Sequence, residues 1–229
     1  MGTNIFFFID IRKPDGTWQA HDRFTCGRDE DGPYIRCDTP LYDGRNGTLF
    51  TILGYGGAPR ASRAGIVPVS PARGMPDDAT PQYRQFVAEW GEDGHSHSYL
   101  TLRELLDYDW THRVRLGGWL NLEEWVAWTG NGRAKAPDNY CAGIIGRSIR
   151  HVSTGTMEKL LEQYHALSPG QERLPFLAEH ADTYAQATWH LPAYAAIDYF
   201  WAETVPVLLH IARGTSGLDR VRIVFFFNN

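Results

Sequence analysis

The sequence predicts an α+β fold in one domain spanning residues 1–229, and three observations carry that reading. Apolar, aromatic and β-branched runs stand at both ends, over residues 5–11 and 221–227. The periodic segments between them repeat mostly at helical spacing. No low-complexity linker divides the chain, and 43% hydrophobic with 13% aromatic residues supplies the apolar surface for a core. Strands at the ends with helices between give α+β. Both terminal strands are expected in one small antiparallel or mixed sheet, flanked by helices and long loops.

The elements follow in order. Residues 5–11 read as a strand, Pro14-Asp15-Gly16 as a turn, and the text through Trp18 as a second strand, which makes an opening hairpin. From residue 27 to 80 the chain is crowded with Gly, Pro, Asp and Arg, so irregular loops are expected there, apart from a short helix over 48–53. Loops of that length in a compact domain are usually functional or disordered. Residues 81–90 and 100–108 look helical, the second opened by Thr101 with Glu104 three residues on, a capping-box pattern. Residues 120–128 and 156–167 each carry apolar residues on one helical face, the latter starting from Ser153 or Thr154 and stopping before Pro169. The longest helical region is expected over 174–213, with Pro192 and Pro206 starting, kinking or breaking it because neither has an amide donor. The final run, 221–227, is apolar throughout instead of alternating, which predicts burial on both faces. No internal repeat is visible.

Charge and cysteine usage narrow the function. A net charge of −5 argues against a general nucleic-acid scaffold, which needs a basic face to offset phosphate. A small charged ligand fits better. All the basic residues except Lys13, Lys135 and Lys159 are arginines, whose planar forks suit phosphate and carboxylate. Three cysteines without paired spacing indicate neither a disulfide framework nor a zinc site, and read as reduced thiols in a cytoplasm. Neither a signal segment nor a long apolar run is visible, so no membrane partner is expected. Self-association is left open. With no Gly-rich phosphate loop carrying a Lys, no dinucleotide fingerprint and no serine elbow, no cofactor is expected and the usual nucleotide folds are disfavoured.

Three polar runs stand out as ligand text. Gly91-Glu92-Asp93-Gly94-His95-Ser96-His97-Ser98 places two imidazoles at i and i+2, which point the same way if the segment is extended. His95 and His97 could then contact a ligand, work as an acid/base pair, or bind a metal with Asp93. The alternative is a structural loop whose side chains, Ser96 included, bond backbone groups. Tyr42-Asp43-Gly44-Arg45-Asn46 joins a flexible glycine to a fork donor, Arg45, and an amide, Asn46, a set able to approach phosphate or ribose. In Ala72-Arg73-Gly74-Met75-Pro76-Asp77-Asp78, Arg73 is a second fork, while Asp77 and Asp78 can accept from ribose hydroxyls or an exocyclic amine. A plainer reading has Arg73 bridging Asp77 or Asp78 to pin the loop. These residues are expected to converge on one pocket. The other histidines read as surface or packing residues, although residues 143–151 could close over a ligand. Trp110 and Trp119 are the best candidates for a stacking platform, since they flank loop text.

Taken in order, these motifs resemble a family of small phage and prophage proteins that begin Met-Gly-Cys-Asp-Ile-His. The resemblance runs through Met1-Gly2 and the opening strand, Gly44-Arg45-Asn46 before Leu49-Phe50, residues 71–78 and 90–100, His151-Val152-Ser153, and Val221-Arg222-Ile223-Val224-Phe225. The chain departs at Asn4 and Phe6, where the family pattern has an aspartate and a histidine. The resemblance implies a phage-encoded accessory protein in the cytoplasm of an infected bacterial host. Two functions fit: sequestration of a nucleotide-derived immune signal, of ADP-ribose or cyclic type, which silences host antiviral defence, or His- or metal-dependent hydrolysis of such a signal. Having Asn4 and Phe6 in place of a carboxylate and an imidazole favours sequestration.

Overall fold

The structure, a computed structural model, describes residues 4–54 and 65–228, except the side chain of Asp43. Along the chain it runs β1 (Asn4–Arg12), β2 (Trp18–Ala20), β3 (Phe24–Asp29), β4 (Gly32–Cys37), β5 (Asp43–Gly44), α1 (Gly47–Ile52), α2 (Pro81–Trp90), β6 (Gly94–Thr101) and α3 (Leu102–Asp107). It continues with β7 (Arg113–Asn121), α4 (Leu122–Gly130), β8 (Arg150–Val152), α5 (Thr154–Ala166), α6 (Arg173–Glu179), β9 (Thr183–Pro192), α7 (Ala193–Ala196), α8 (Val205–Thr215) and β10 (Val221–Asn228). The fold is α+β. Two compact units are formed, one by residues 1–112 with 193–229 and the other by residues 113–192. No helix of the described residues is long and apolar enough to cross a membrane.

In the first unit the two ends of the chain pair, as their apolar runs predict. β1 and β10 are antiparallel in full register from Asn4↔Asn228 to Ile11↔Val221, within a sheet of order β2-β1-β10-β6 to which β5 adds beside β1. β10 is central, and its seven residues from Val221 to Phe227 are all buried, which explains why it lacks alternation. Side chains of β1 alternate. Phe6 and Phe8 share one face with Phe226 and pack under α2, through Tyr83, Phe86 and Trp90. Phe7 and Phe227 occupy the other face, where they meet Phe200 and Phe50 edge-on.

The loop-like text after residue 27 contains a strand pair that its composition does not predict, β3 with β4, closed by Asp29, whose carboxylate accepts from the Asp31 and Gly32 amides. β3 is mostly exposed, and β4 buries only Ile35, so the pair carries little apolar alternation to read. The helix expected over 100–108 begins at Leu102 instead, because Leu100 and Thr101 complete β6. Thr101 does cap it, with the reciprocal Glu104 bonds in place.

The second unit is a sheet of order β7-β9-β8, with β9 antiparallel to β7 and parallel to β8. Its inner face, with Leu120, Ala185, Ala187 and Trp189, packs on Trp125, Trp128 and Met157 of α4 and α5. The expected long helix over 174–213 is corrected here, since its middle is the ten-residue strand β9. Thr183, Ala185, Ala187 and Trp189 point inward in strict alternation. Small alanines at these positions admit the helices closely, but they mute the apolar period and read as helix formers.

Candidate functional site

Arg45 lies at one end of the first sheet. β5 pairs with the start of β1 at Ile5↔Gly44, and the absence of a Cβ at Gly44 leaves room for the Tyr42 hydroxyl, which would lie 2.8 Å from one. Arg45 follows at once, and its Nε donates to Asn4 Oδ1 at 2.6 Å. Asn4 Nδ2 reaches Asn228 Oδ1 at 3.4 Å, and Asn228 Nδ2 reaches the Asp93 carbonyl at 3.4 Å. The corner therefore joins the first residue of β1, the last of β10 and the turn before β6. Its cation rests on a neutral amide, and among the described residues no ion pair includes Arg45. Asn46 has a structural task instead. Its side-chain oxygen accepts from the Thr48 and Leu49 amides to cap α1, and its Nδ2 donates to the Ala196 carbonyl.

His95 and His97 diverge. Both are in β6, but the register against β10 slips between Phe225↔Ser98 and Phe227↔His95. The extra residue is accommodated at Ser96, whose φ of 55° lies in the left-handed region. A bulge breaks the two-residue alternation, so the imidazoles leave on opposite faces. His97 packs 5.3 Å from the Phe226 ring, and its Nδ1 is 3.1 Å from the Tyr83 hydroxyl. His95 packs against Phe227 on the other face, with Nδ1 3.0 Å from Ser96 Oγ. Burial lowers the His97 pKa, opposed in part by a backbone hydrogen bond at Gly94. An imidazole pair acting on one substrate atom is not formed. Among the described residues no group of three His, Cys, Asp or Glu side chains is placed to hold a metal ion.

Arg73 is pinned, though to a different carboxylate from the one expected. Its guanidinium takes both oxygens of Glu104, at 2.5 and 3.1 Å, and also donates to the Tyr99 carbonyl. Glu104 thereby holds the helix cap and the loop together, and the hydrogen bond from Arg73 brings its carboxyl down to about 2. Asp78 is bonded to Arg222, and the Asp77 carbonyl accepts from Arg84. Asp78 and Arg222 lie level with Asp10 in the sheet. Asp10 is six residues along β1 from Asn4, which at about 3.3 Å per residue is roughly 20 Å. One pocket holding Arg45, Asp78 and both histidines is therefore not formed.

Sequence reading missed the charge cluster that Asp78 joins. Arg222, in the middle of an apolar strand, donates through Nε and Nη2 to Asp10 at 3.2 and 2.8 Å, and these side chains are only 3% and 2% exposed. Trp18 covers the guanidinium at 4.3 Å, while Thr80 lies 3.4 Å from Asp10. Burial pushes the Asp10 carboxyl up while Arg222 pulls it back. Asp22 accepts from the Ile9 amide, and burial raises it to about 7. Asp10 and Arg222 face each other in the β1/β10 register, so one acid and one base set in the two terminal apolar runs were the available signal. Every guanidinium nitrogen of Arg222 is taken by a protein acceptor, which makes this a structural network.

The two tryptophans expected to offer a stacking platform differ in their surroundings. In the second unit, Trp119 leaves the outer face of its sheet and stacks on His151 of β8, with centroids 4.6 Å apart and planes 29° apart. Trp110, in the first unit, is buried, and its indole N–H is spent on the Leu105 carbonyl, so it offers no platform. Neither a family model, nor a curated protein, nor a solved structure matches this chain.

Proposed function

We propose that this protein binds a small anionic, nucleotide-derived molecule at the corner formed by Asn4, Arg45 and Asn228, and sequesters it without cleaving it. The observation that carries the reading is the state of Arg45. Of the two arginines singled out as forks, Arg73 is neutralised by Glu104, whereas Arg45 is exposed and bonded to a neutral amide. A guanidinium in that state has charge and donors left for a phosphate. The neighbouring amides can donate or accept, which suits ribose hydroxyls and base edges. Sequestration is favoured over hydrolysis because the two imidazoles stand on opposite faces, and because Asn4 and Phe6 bring neither acid nor base to the end of β1. With the resemblance to phage proteins, the ligand is read as a host immune signal of ADP-ribose or cyclic-nucleotide type, and its capture as the means of silencing defence.

The test is to incubate purified protein with a panel of such nucleotides, remove the free excess, release what is held by heating, and weigh it. Intact release is the expected result. Release with altered mass would transfer the reading to a hydrolase, and retention of none would remove both.

A further inference from the structure

The outer face of the second unit's sheet is built from residues other than those of the corner at Arg45. Its strand positions can be read from the register. Arg115, Gly117 and Trp119 alternate outward along β7, while Thr188 and His190 lie opposite them on β9, at Gly117↔Thr188 and Arg115↔His190. His151 leaves β8 on the same side, because its neighbour Val152 packs into the inner core. Arg115, Gly117, Thr188, His190 and His151 are exposed, with Trp119 half-buried against His151. Gly117 keeps the floor beside the indole low. None of these outward positions is a carboxylate, in a chain whose net charge is −5. A sheet surface joining the stacked Trp119–His151 pair to Arg115 and His190 offers ring faces for bases and donors for phosphates.

We infer that this face is a binding surface for single-stranded nucleic acid. Charge and stacking together select the occupant: an acidic protein surface can pair with Arg115 but leaves the Trp119–His151 stack unused, whereas an unpaired nucleotide brings both a phosphate and a ring. Span suits a polymer. Arg115 and Trp119 are four residues apart on one strand, or about 13 Å between Cα atoms, a spacing that adjoining nucleotides of one strand can bridge. Successive nucleotides can use both. Duplex is disfavoured because its bases are already stacked and its charge asks for a broader basic footprint. This refines what net charge alone suggests, since an acidic chain can still carry one local aromatic face with an arginine and no carboxylate among its outward positions.

The experiment is fluorescence anisotropy with a short labelled oligouridylate and, separately, a duplex RNA of equal length, using the full chain at low and moderate salt. Single strand should bind more tightly than duplex. Trp119→Ala should weaken it roughly fivefold or more, with Trp119→Phe restoring most of the affinity. Arg115→Ala should flatten the dependence of log K on log salt by about 0.7 for each phosphate that is no longer neutralised. Arg45→Ala should leave oligonucleotide binding unchanged, so this inference and the proposed small-molecule site can fail separately. The inference is overturned if the oligouridylate does not bind at low salt, if duplex binds equally well, if an oligoglutamate competes as effectively, or if Trp119→Ala, with its far-ultraviolet circular dichroism intact, binds as the parent does.

Discussion

At the scale of single residues, the strongest constraint is the Asp10–Arg222 pair. Two charges taken almost wholly out of water are tolerable only because each satisfies the other, with Asp78, Thr80 and Trp18 completing the shell. Arg222→Met leaves Asp10 buried without its cation, and should cost about 3–5 kcal/mol in urea unfolding. The double variant Asp10→Asn/Arg222→Met should recover a large part of that loss; additive losses would show that the pair is not coupled. Asp22 gives a pH signature with a definite sign. Its folded carboxyl titrates at about 7 instead of the ordinary 3.8, so between those values the folded state holds a proton that the unfolded chain releases. The stabilisation is complete below the unfolded value and is lost as pH rises to the folded one. Asp22→Asn removes the cost of ionisation while keeping an oxygen for the Ile9 amide. It should therefore be more stable than the parent by at least about 1 kcal/mol near pH 8, with a smaller gain near pH 5. Equal stabilities at both pH values would contradict the burial of that carboxylate.

At the scale of elements, the same construction appears twice. β6 runs into α3 through Thr101 and Glu104, and β7 runs into α4 through Asn121 and Glu124, each with a reciprocal capping box. The aromatic-Leu-cap-Leu-x-Glu text is shared between Tyr99-Leu100-Thr101-Leu102-Arg103-Glu104 and Trp119-Leu120-Asn121-Leu122-Glu123-Glu124. Only Glu104 has a second duty, holding Arg73. Glu124→Ala should thus cost about 0.5–1 kcal/mol, and Glu104→Ala measurably more, when both are followed by thermal unfolding. An equal cost would mean that the bond to Arg73 contributes nothing. What the sequence made legible follows the same physics. Terminal strands, α2, α5 and the Thr101 cap were readable because burial or capping left a periodic or positional mark. β9 was not, since its inward alanines imitate a helix, and β3 and β4 were not, since only Ile35 of the pair is buried and a single apolar residue makes no pattern. In β6 the divergence of His95 and His97 depends on one bulge, and the left-handed residue there is a serine, with no glycine to announce it.

At the scale of the whole molecule, part of the arginine charge is committed to structure. Arg222 binds two aspartates, Arg73 binds Glu104, Arg103 binds Asp219 and Arg133 binds Glu158. A chain with net charge −5 that holds an anion draws on cations left out of such pairs, and of the two arginines in the ligand-like runs only Arg45 is left out. The three ligand-like runs are legible as polar text, but sequence distance could not reveal that Arg73 and Asp78 serve the opposite end of β1 from Arg45. An asymmetry is therefore expected between two arginines that the sequence presents as equivalents. The direct measurement is calorimetric titration of whichever nucleotide the protein retains into the parent, Arg45→Ala and Arg73→Ala. Removing one charge-assisted hydrogen bond of about 1.5–3 kcal/mol should weaken binding tenfold or more in Arg45→Ala, while Arg73→Ala loses stability but keeps its affinity. Undiminished affinity in Arg45→Ala, or a loss confined to Arg73→Ala, would contradict the proposed site.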